Sequence, residues 1–316
     1  MIIKKLIIKN FKKFDVNTKP FEFNDDINIL VGDNECGKST ILEAIDMCLN
    51  LCYRGRPVLS ELTTDFFNGK CVKEYLLGHK SADSLPEIRI EAFIDGYPEL
   101  KGKNNSLKED TQGMFVRIFF DPSRSGAYAD FIADPANVTT LPVEFYKVEW
   151  FAFSWDPMTH SSNRMNCLFI DPSRLHPTYG RSRYINTVLN SSLNKAERAK
   201  LNLNFRQLKA TFDGDPQVVK INNELDADKS ITNGALRITT DTSTINTWES
   251  NLHLTVDSIS LNHIGKGEQN KIQIKLSLKN KAGDMHVVMI EEPENHLSHM
   301  NLVELIKYIE TKNQER

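Results

Sequence analysis

The sequence has no long apolar run, and its first residues do not have the pattern of a signal peptide. None of its hydrophobic stretches reaches the ~20 residues that a transmembrane helix needs. The N-terminal segment MIIKKLIIKNFKKF carries lysines among its apolar residues, which is not the pattern of a signal peptide. These absences predict a soluble protein without a membrane partner.

The sequence also has few cysteines and a small net charge. The 316 residues include five cysteines, an odd number, and no two of them have the CxxC spacing. We therefore expect reduced thiols and a cytoplasmic protein. The 39 basic and 42 acidic residues give a formal net charge of −3, so no global basic field indicates nucleic acid. A local basic groove that binds DNA is still compatible with this net charge. Lys12 and Lys13 either contact a DNA backbone or lie in an ordinary solvated turn.

The apolar pattern indicates an α/β fold. The apolar run 27–31 predicts a buried strand, and a helix with one apolar face should begin near Ser39. A second apolar strand, 286–290, leads into a last helix near the C terminus. Because these strands end in glycine-rich and acidic segments, we predict one sheet with a large insertion and with ligands at the carboxyl ends of its strands.

The middle of the chain alternates between strand and helix patterns. An appended antiparallel sheet is expected from the segments 88–94, 115–120, 143–155 and 167–170. Helical spacing is found at 185–212, and short strands are predicted at 236–238 and 252–256.

Residues 32–40, GDNECGKST, fit the phosphate-loop motif G-x-x-x-x-G-K-[ST] between a predicted strand and a predicted helix. The glycines let backbone N–H groups point at phosphates, and the helix N-terminus adds its positive dipole end. Lys38 is expected to reach the β- and γ-phosphates of ATP, and the Ser39 hydroxyl to bind Mg²⁺. A glycine-rich turn with an incidental lysine is the alternative, which the flanking strand and helix disfavour. The candidate nucleotide-binding residues of this loop are Gly32, Asn34, Glu35, Cys36, Gly37, Lys38, Ser39 and Thr40.

Adjacent carboxylates follow the last predicted strand. It ends at Glu291-Glu292-Pro293-Glu294, where the proline cannot continue a strand ladder. Opposite a phosphate loop, Glu291 would hold Mg²⁺ through water, and Glu292 would accept a proton from the attacking water. An acidic turn is the alternative, and the phosphate loop in the same chain favours the catalytic interpretation.

A glycine-containing segment, IGKGE at residues 264–268, precedes a helix-compatible run. The order of strand, phosphate loop, long insertion, IGKGE and EEPE resembles ABC-type ATPases of chromosome maintenance and repair, such as RecF and the SMC proteins. The closest resemblance is to the overcoming-lysogenization-defect (OLD) nucleases, which include the Gabija defence nuclease. It rests on LIIKNFKKF, GDNECGKSTILEAI and EEPENHL, and it covers the two ends of the chain but not the middle.

The resemblance implies an ABC-type P-loop ATPase head: a mixed sheet with flanking helices, an antiparallel β subdomain and a helical insertion. It implies a homodimer in which Gly265, Lys266 and Gly267 bind the γ-phosphate of ATP held by the partner subunit. Gly265 stands at the serine position of the common L-S-G-G signature, which removes one hydroxyl contact, although glycine there is usual among OLD-like proteins. ATP and Mg²⁺ are the implied cofactors, and DNA and a TOPRIM nuclease domain or effector are the implied partners.

Three parts are predicted along the chain. Residues 1–172 form the first ATPase lobe with the P-loop, and residues 173–254 form a mainly helical insertion and candidate dimerisation element. Residues 255–316 supply the signature and the acidic strand that complete the core. Because the chain ends in or just after the helix that precedes the switch histidine of ABC heads, we expect neither that histidine nor a TOPRIM domain here, and ATP binding better than turnover.

Three functions remain open at this point. The leading one is an ATPase that regulates a DNA-processing or anti-phage nuclease. The others are a RecF-like DNA-repair ATPase without nuclease activity and a non-catalytic assembly module in which ATP stabilises a dimer. Fold alone does not choose among them.

Overall fold

A computed structural model describes residues 2–134, 138–165, 167–171, 193–227, 234–240, 252, 254–281 and 285–314. The chain divides into two compact units. The first consists of Met1–Ile170 and Gly283–Glu291, and the second of Asp171–Ala282 and Glu292–Arg316. The three-part division expected from the sequence stays a prediction.

Both strands and helices are present, which confirms the predicted α/β class. The strands are β1 (Ile2–Lys9), β2 (Phe21–Glu22), β3 (Ile88–Asp95), β4 (Lys101–Gly102), β5 (Thr111–Phe120), β6 (Tyr146–Ala152), β7 (Cys167–Ile170), β8 (Thr255–Val256), β9 (Ile259–Ser260) and β10 (Val287–Ile290). The α-helices are α1 (Lys38–Leu49), α2 (Val58–Glu61), α3 (Gly69–Leu77), α4 (Ser125–Ile132), α5 (Lys195–Asp213), α6 (Pro216–Ala227), α7 (Lys266–Lys281) and α8 (His299–Gln314). In the described part of the chain, no helix is long and apolar enough to span a bilayer.

The first unit is built on a six-stranded sheet. Its strand order is β2-β1-β3-β5-β4, with β6 paired to β5, and every pairing is antiparallel. The antiparallel pairing predicted for the segments 88–94, 115–120 and 143–155 is therefore confirmed, and the sheet also includes β1 from the N-terminal part of the chain. Alternation along β1 buries Leu6 and Ile8 in the main core and Ile7 in a second cluster with Phe93 and Phe115.

Helix α1 packs against the middle of this sheet. Ile45, Cys48 and Leu49 on its apolar face are buried, as the helical spacing predicts. The Cys48 sulfur lies 3.8 Å from the Ile90 carbonyl oxygen and 3.7 Å from that of Met114. The helix that follows the phosphate loop is thus held by contacts with β3 and β5.

Strand β7 was expected in the antiparallel sheet, and that expectation is wrong. It pairs in parallel with β10, with Val287 opposite Cys167 and Ile290 opposite Ile170. The Asn50 side chain, just past the end of α1, donates to the Cys167 carbonyl oxygen at 2.9 Å and accepts from the Cys167 N–H at 3.2 Å. An apolar pattern specifies which side of a strand is buried, but it does not specify the neighbouring strand.

The predicted buried strand at residues 27–31 does not form. This segment has no assigned secondary structure, and the exposed fractions of Ile29 and Val31 are 80% and 88%. A strand needs a neighbour for its N–H and C=O groups, and none of the described strands pairs with this segment. The short strand expected at 236–238 is also wrong, because residues 235–240 have no strand structure.

Among its described residues, the second unit contains helices α5 and α6, which contact each other, and helices α7 and α8. Helix α5 begins at an Asn194–Glu197 capping box, so the prediction of helix at 185–212 holds from Lys195 onward, and residues 172–192 lie outside the described residues. Asp213 at the end of α5 accepts hydrogen bonds from the backbone N–H and hydroxyl of Thr240, at 2.9 and 3.0 Å. Helix α7 packs against α8, and Lys275 of α7 pairs with Glu304 of α8 at 2.5 Å.

Candidate nucleotide-binding site

The loop at residues 32–37 curls around the side chain of Lys38. The Lys38 ammonium donates hydrogen bonds to the carbonyl oxygens of Gly32, at 2.7 Å, and Asp33, at 2.9 Å. A turn in the loop is closed by the Cys36 N–H, which donates to the Asp33 carbonyl oxygen at 3.3 Å. The motif lysine therefore lies half-buried inside its own loop, whose residues 32–36 are exposed to solvent and to anionic phosphates.

The N-terminus of α1 suits an anion. Gly37 is its N-cap, no side chain caps the helix, and the first turn contains no acidic residue. Uncapped N–H groups and the positive end of the helix dipole attract phosphate. Ser39 is half-buried in this first turn and Thr40 is buried. Asn34, Glu35 and Cys36 are exposed at the tip of the loop.

The two glycines of the motif, Gly32 and Gly37, differ in backbone conformation and in the atoms that surround them. Gly37 has φ 106°, a left-handed conformation, and a Cβ there would lie 2.8 Å from the Phe14 ring. At Gly32, a Cβ would lie 2.7 Å from the Cys36 sulfur. A side chain at residue 37 would therefore be strained, whereas one at residue 32 would require the exposed Cys36 side chain to shift.

The phosphate-loop helix is anchored by a buried charge cluster that the sequence did not reveal. Glu43, 2% exposed, pairs with Lys12 and Arg54, and it accepts a hydrogen bond from the Tyr53 hydroxyl at 3.2 Å. Lys12 also donates to the Tyr53 hydroxyl, at 2.8 Å. A glutamate on a helix looks like a solvated residue in sequence, and only its tertiary partners identify it as a buried one.

Lys13 contacts the phosphate loop itself. Its ammonium donates to the carbonyl oxygen of Glu35, a residue with φ 63° at the tip of the loop. Lys12 and Lys13 thus both contact the region around the phosphate loop, the first through α1 and the second through the loop.

Glu291 follows β10 and continues its pairing with β7. Its backbone N–H donates to the Ile170 carbonyl oxygen at 2.9 Å, and its side chain is half-buried. The sequence-predicted metal ligands, the Ser39 hydroxyl and the Glu291 carboxylate, are both hard oxygen donors, which fits Mg²⁺. Both belong to the first unit, as do all the candidate residues of the phosphate loop.

Glu292 and the signature residues belong to the second unit. The segment around Gly265 leads directly into α7, whose first residue is Lys266. A Cβ at Gly265 would meet open space, whereas a Cβ at Gly267 would lie 2.3 Å from the His296 carbonyl oxygen. Gly267 is therefore required for close packing within this unit, a role that its position in a signature motif does not predict.

Comparison with known proteins supports an ATPase. Residues 5–127 match the AAA domain family, and this segment contains the whole phosphate loop but less than half of the chain. No curated protein matches the sequence. A solved structure from work on ATP-driven dimerization and DNA-stimulated activation of SMC ATPases is 15% identical, covers 51% of this chain and 74% of its own, and has a TM-score of 0.30. That likeness is too distant to carry a functional argument. The AAA domain match supports the coarser prediction of an ATP-binding, ATPase-type domain.

Proposed function

We propose that this chain is an ABC-type ATPase module that binds ATP with Mg²⁺, dimerises around the nucleotide and regulates a DNA-processing or anti-phage nuclease of the OLD type. The observation that carries the nucleotide-binding part is the loop at 32–37. It encloses the Lys38 ammonium and leads into an uncapped helix N-terminus. The lysine ammonium and the helix N-terminus are the two positive groups that bind the phosphates of a nucleoside triphosphate.

Different residues of the chain bind the phosphates, hold the metal ion and accept the proton in the proposed hydrolysis of ATP. Lys38 and the first-turn N–H groups of α1 bind the phosphates, while Ser39 and, through water, Glu291 would hold the metal ion. Bound Mg²⁺ would neutralise charge on the β- and γ-phosphate oxygens. Glu292 accepts the proton of the attacking water. Gly265, Lys266 and Gly267 contact the γ-phosphate of ATP bound to the partner subunit.

The partners are proposed from the sequence resemblance. We assign DNA and a TOPRIM nuclease domain or effector as the targets of the ATP-driven dimer. A cytoplasmic location is supported by the cysteines, all five of which lie in the described ranges and none of which forms a disulfide.

The consecutive helices α5 and α6 are proposed as a dimerisation element. No side chain of either helix is buried in the described structure. Leu201, Leu208 and Phe212 repeat at helical spacing along α5 and are all exposed. An apolar stripe of this kind on a helix commonly marks an interface.

The test of the ATP clamp is the variant Glu292→Gln. Glutamine cannot accept the proton of water, so we expect bound ATP to persist and the chain to elute as a dimer with Mg-ATP, measured by size-exclusion chromatography with light scattering. The matched control is Glu294→Gln, which removes the same charge two residues away and should behave as wild type. Lys38→Ala should abolish ATP binding. A Glu292→Gln protein that binds ATP but stays monomeric at saturating Mg-ATP would rule out the clamp.

A further inference from the structure

In the loop that begins at Glu292, Asn295 makes two hydrogen bonds back to Glu292. The Asn295 backbone N–H donates to the Glu292 carbonyl oxygen at 3.1 Å. Its side-chain amide also donates to the Glu292 carboxylate, at atom Oε2. Glu292 has φ 43°, a left-handed conformation that a glutamate rarely adopts without surrounding contacts. Asn295 therefore holds both the backbone and the carboxylate of Glu292.

The same loop is fastened to the first two turns of α7. The Asn270 side-chain amide donates to the Asn295 carbonyl oxygen at 2.9 Å, and Asn270 is 6% exposed. One turn earlier on the same helix face, a Cβ on Gly267 would lie 2.3 Å from the His296 carbonyl oxygen. The loop backbone thus occupies the space where a side chain at residue 267 would be.

We propose that Asn295 is the positioning residue of Glu292. Asn270 and the absence of a side chain at Gly267 couple the Glu292 carboxylate to helix α7, because both let the loop pack against this helix. The inference rests on the proposed function, in which Glu292 accepts the proton and the start of α7 contacts the partner's nucleotide. Because α7 begins at Lys266, a shift of its first turns moves Asn270 and hence Asn295 and the Glu292 carboxylate. The partner's nucleotide would in this way regulate hydrolysis.

The first test compares Asn295→Ala and Asn295→Asp in the whole chain. Asn295→Asp keeps the shape but replaces the amide donor with a carboxylate that repels Glu292. We expect both variants to lower kcat for Mg-ATP about tenfold, which is less than the roughly 10²–10⁴-fold that a general base contributes, because Glu292 itself remains. The KM for ATP should stay within about twofold, because the phosphate loop is untouched. If the role were only to fill space, Asn295→Asp would keep wild-type kcat, and the proposal would be overturned.

The second test concerns the anchor. Asn270→Ala should lower kcat in the same way and should have no further effect when combined with Glu292→Gln, since both act through one carboxylate. The matched control is Asn301→Ala on α8, which lies outside this network and should keep wild-type turnover. Equal kcat for Asn270→Ala and wild type would overturn the coupling.

A measurement that needs no turnover separates this inference from the proposed function. Hydrogen–deuterium exchange of peptides covering residues 291–298 should speed up in Asn270→Ala and stay unchanged in Asn301→Ala. If the wild-type protein does not hydrolyse ATP, the proposed ATPase function is refuted. If the exchange rate of residues 291–298 is unchanged in Asn270→Ala, the proposed role of Asn270 in holding this loop is refuted.

Discussion

Gly265 and Gly267 are two residues apart, yet their surroundings differ. Both were expected from the sequence resemblance to contact a partner's nucleotide. A methyl group at residue 265 would meet open space, whereas one at residue 267 would collide with the His296 carbonyl oxygen. Binding and packing can therefore be separated at this motif by a single matched pair of substitutions.

Gly267→Ala should destabilise the protein and Gly265→Ala should not. The added methyl at residue 267 must displace the loop after Glu292, at a cost of about 1–3 kcal/mol. At residue 265 the change in the free energy of unfolding should stay within about 0.5 kcal/mol. Denaturant unfolding of both variants measures the difference. Equal stabilities would mean that the loop does not pack on α7 as described.

Cys36 reports on nucleotide binding because it is the exposed thiol of the phosphate loop. Burial raises the pKa of the Cys48 thiol to about 12 and that of Cys71 to about 11, so these thiols are poor nucleophiles at neutral pH. We expect a maleimide to label Cys36 first. At an ATP concentration ten times its Kd, labelling should slow about tenfold, because only the unbound fraction reacts. Peptide mass spectrometry measures the rate, and Lys38→Ala should remove the protection. An unchanged rate at saturating ATP would place the nucleotide elsewhere.

At the scale of the element, helix α1 is held from two sides. Its apolar face packs on β3 and β5. Its buried Glu43 pairs with Lys12, which follows β1, and with Arg54, which follows the helix. The charge cluster therefore joins the segment that follows β1 to helix α1 and to the segment that follows this helix.

Glu43→Ala should cost about 3–5 kcal/mol, because it leaves two partly buried cations without their carboxylate. The matched control is Glu61→Ala, which removes a carboxylate paired with the exposed Arg56 and should cost about 0–1 kcal/mol. Denaturant unfolding of both variants measures the contrast. Similar small losses would show that Glu43 does not anchor the helix.

At the scale of the whole molecule, the proposed dimer has two possible sources of stability. One is the shared ATP, and the other is the exposed apolar stripe of α5, where Leu208 is 65% exposed. The two sources respond to different perturbations, since ATP-dependent association disappears with the nucleotide and a helix interface does not.

Leu208→Glu should weaken dimerisation both with and without ATP, by at least about tenfold in Kd, because it buries an unpaired charge in the interface. Gln207→Glu adds the same charge at the neighbouring position, away from the stripe, and should leave association unchanged. Analytical ultracentrifugation over a concentration series measures both. An unchanged Kd for Leu208→Glu would exclude the apolar stripe of α5 as the interface, and a wild-type chain that is monomeric under all conditions would exclude the dimer.

The sequence by itself determined the features that depend on neighbouring residues. The curled loop at residues 32–37, the helix from Lys38 and the strand that ends before Glu291 follow from local patterns, since loop curvature, helix periodicity and strand alternation arise within a few residues. The antiparallel strands β3, β5 and β6 were predicted for the same reason.

The tertiary structure decided everything that depends on a distant partner. The apolar residues 27–31 lack a neighbouring strand and do not form one, and β7 pairs with β10 rather than with β6. The burial of Glu43 and the contact of Gly267 with His296 join residues far apart in the chain. The physical reason is that hydrogen-bond pairing and close packing are satisfied between elements, and a periodic pattern shows that an element needs a partner without showing which one it will have.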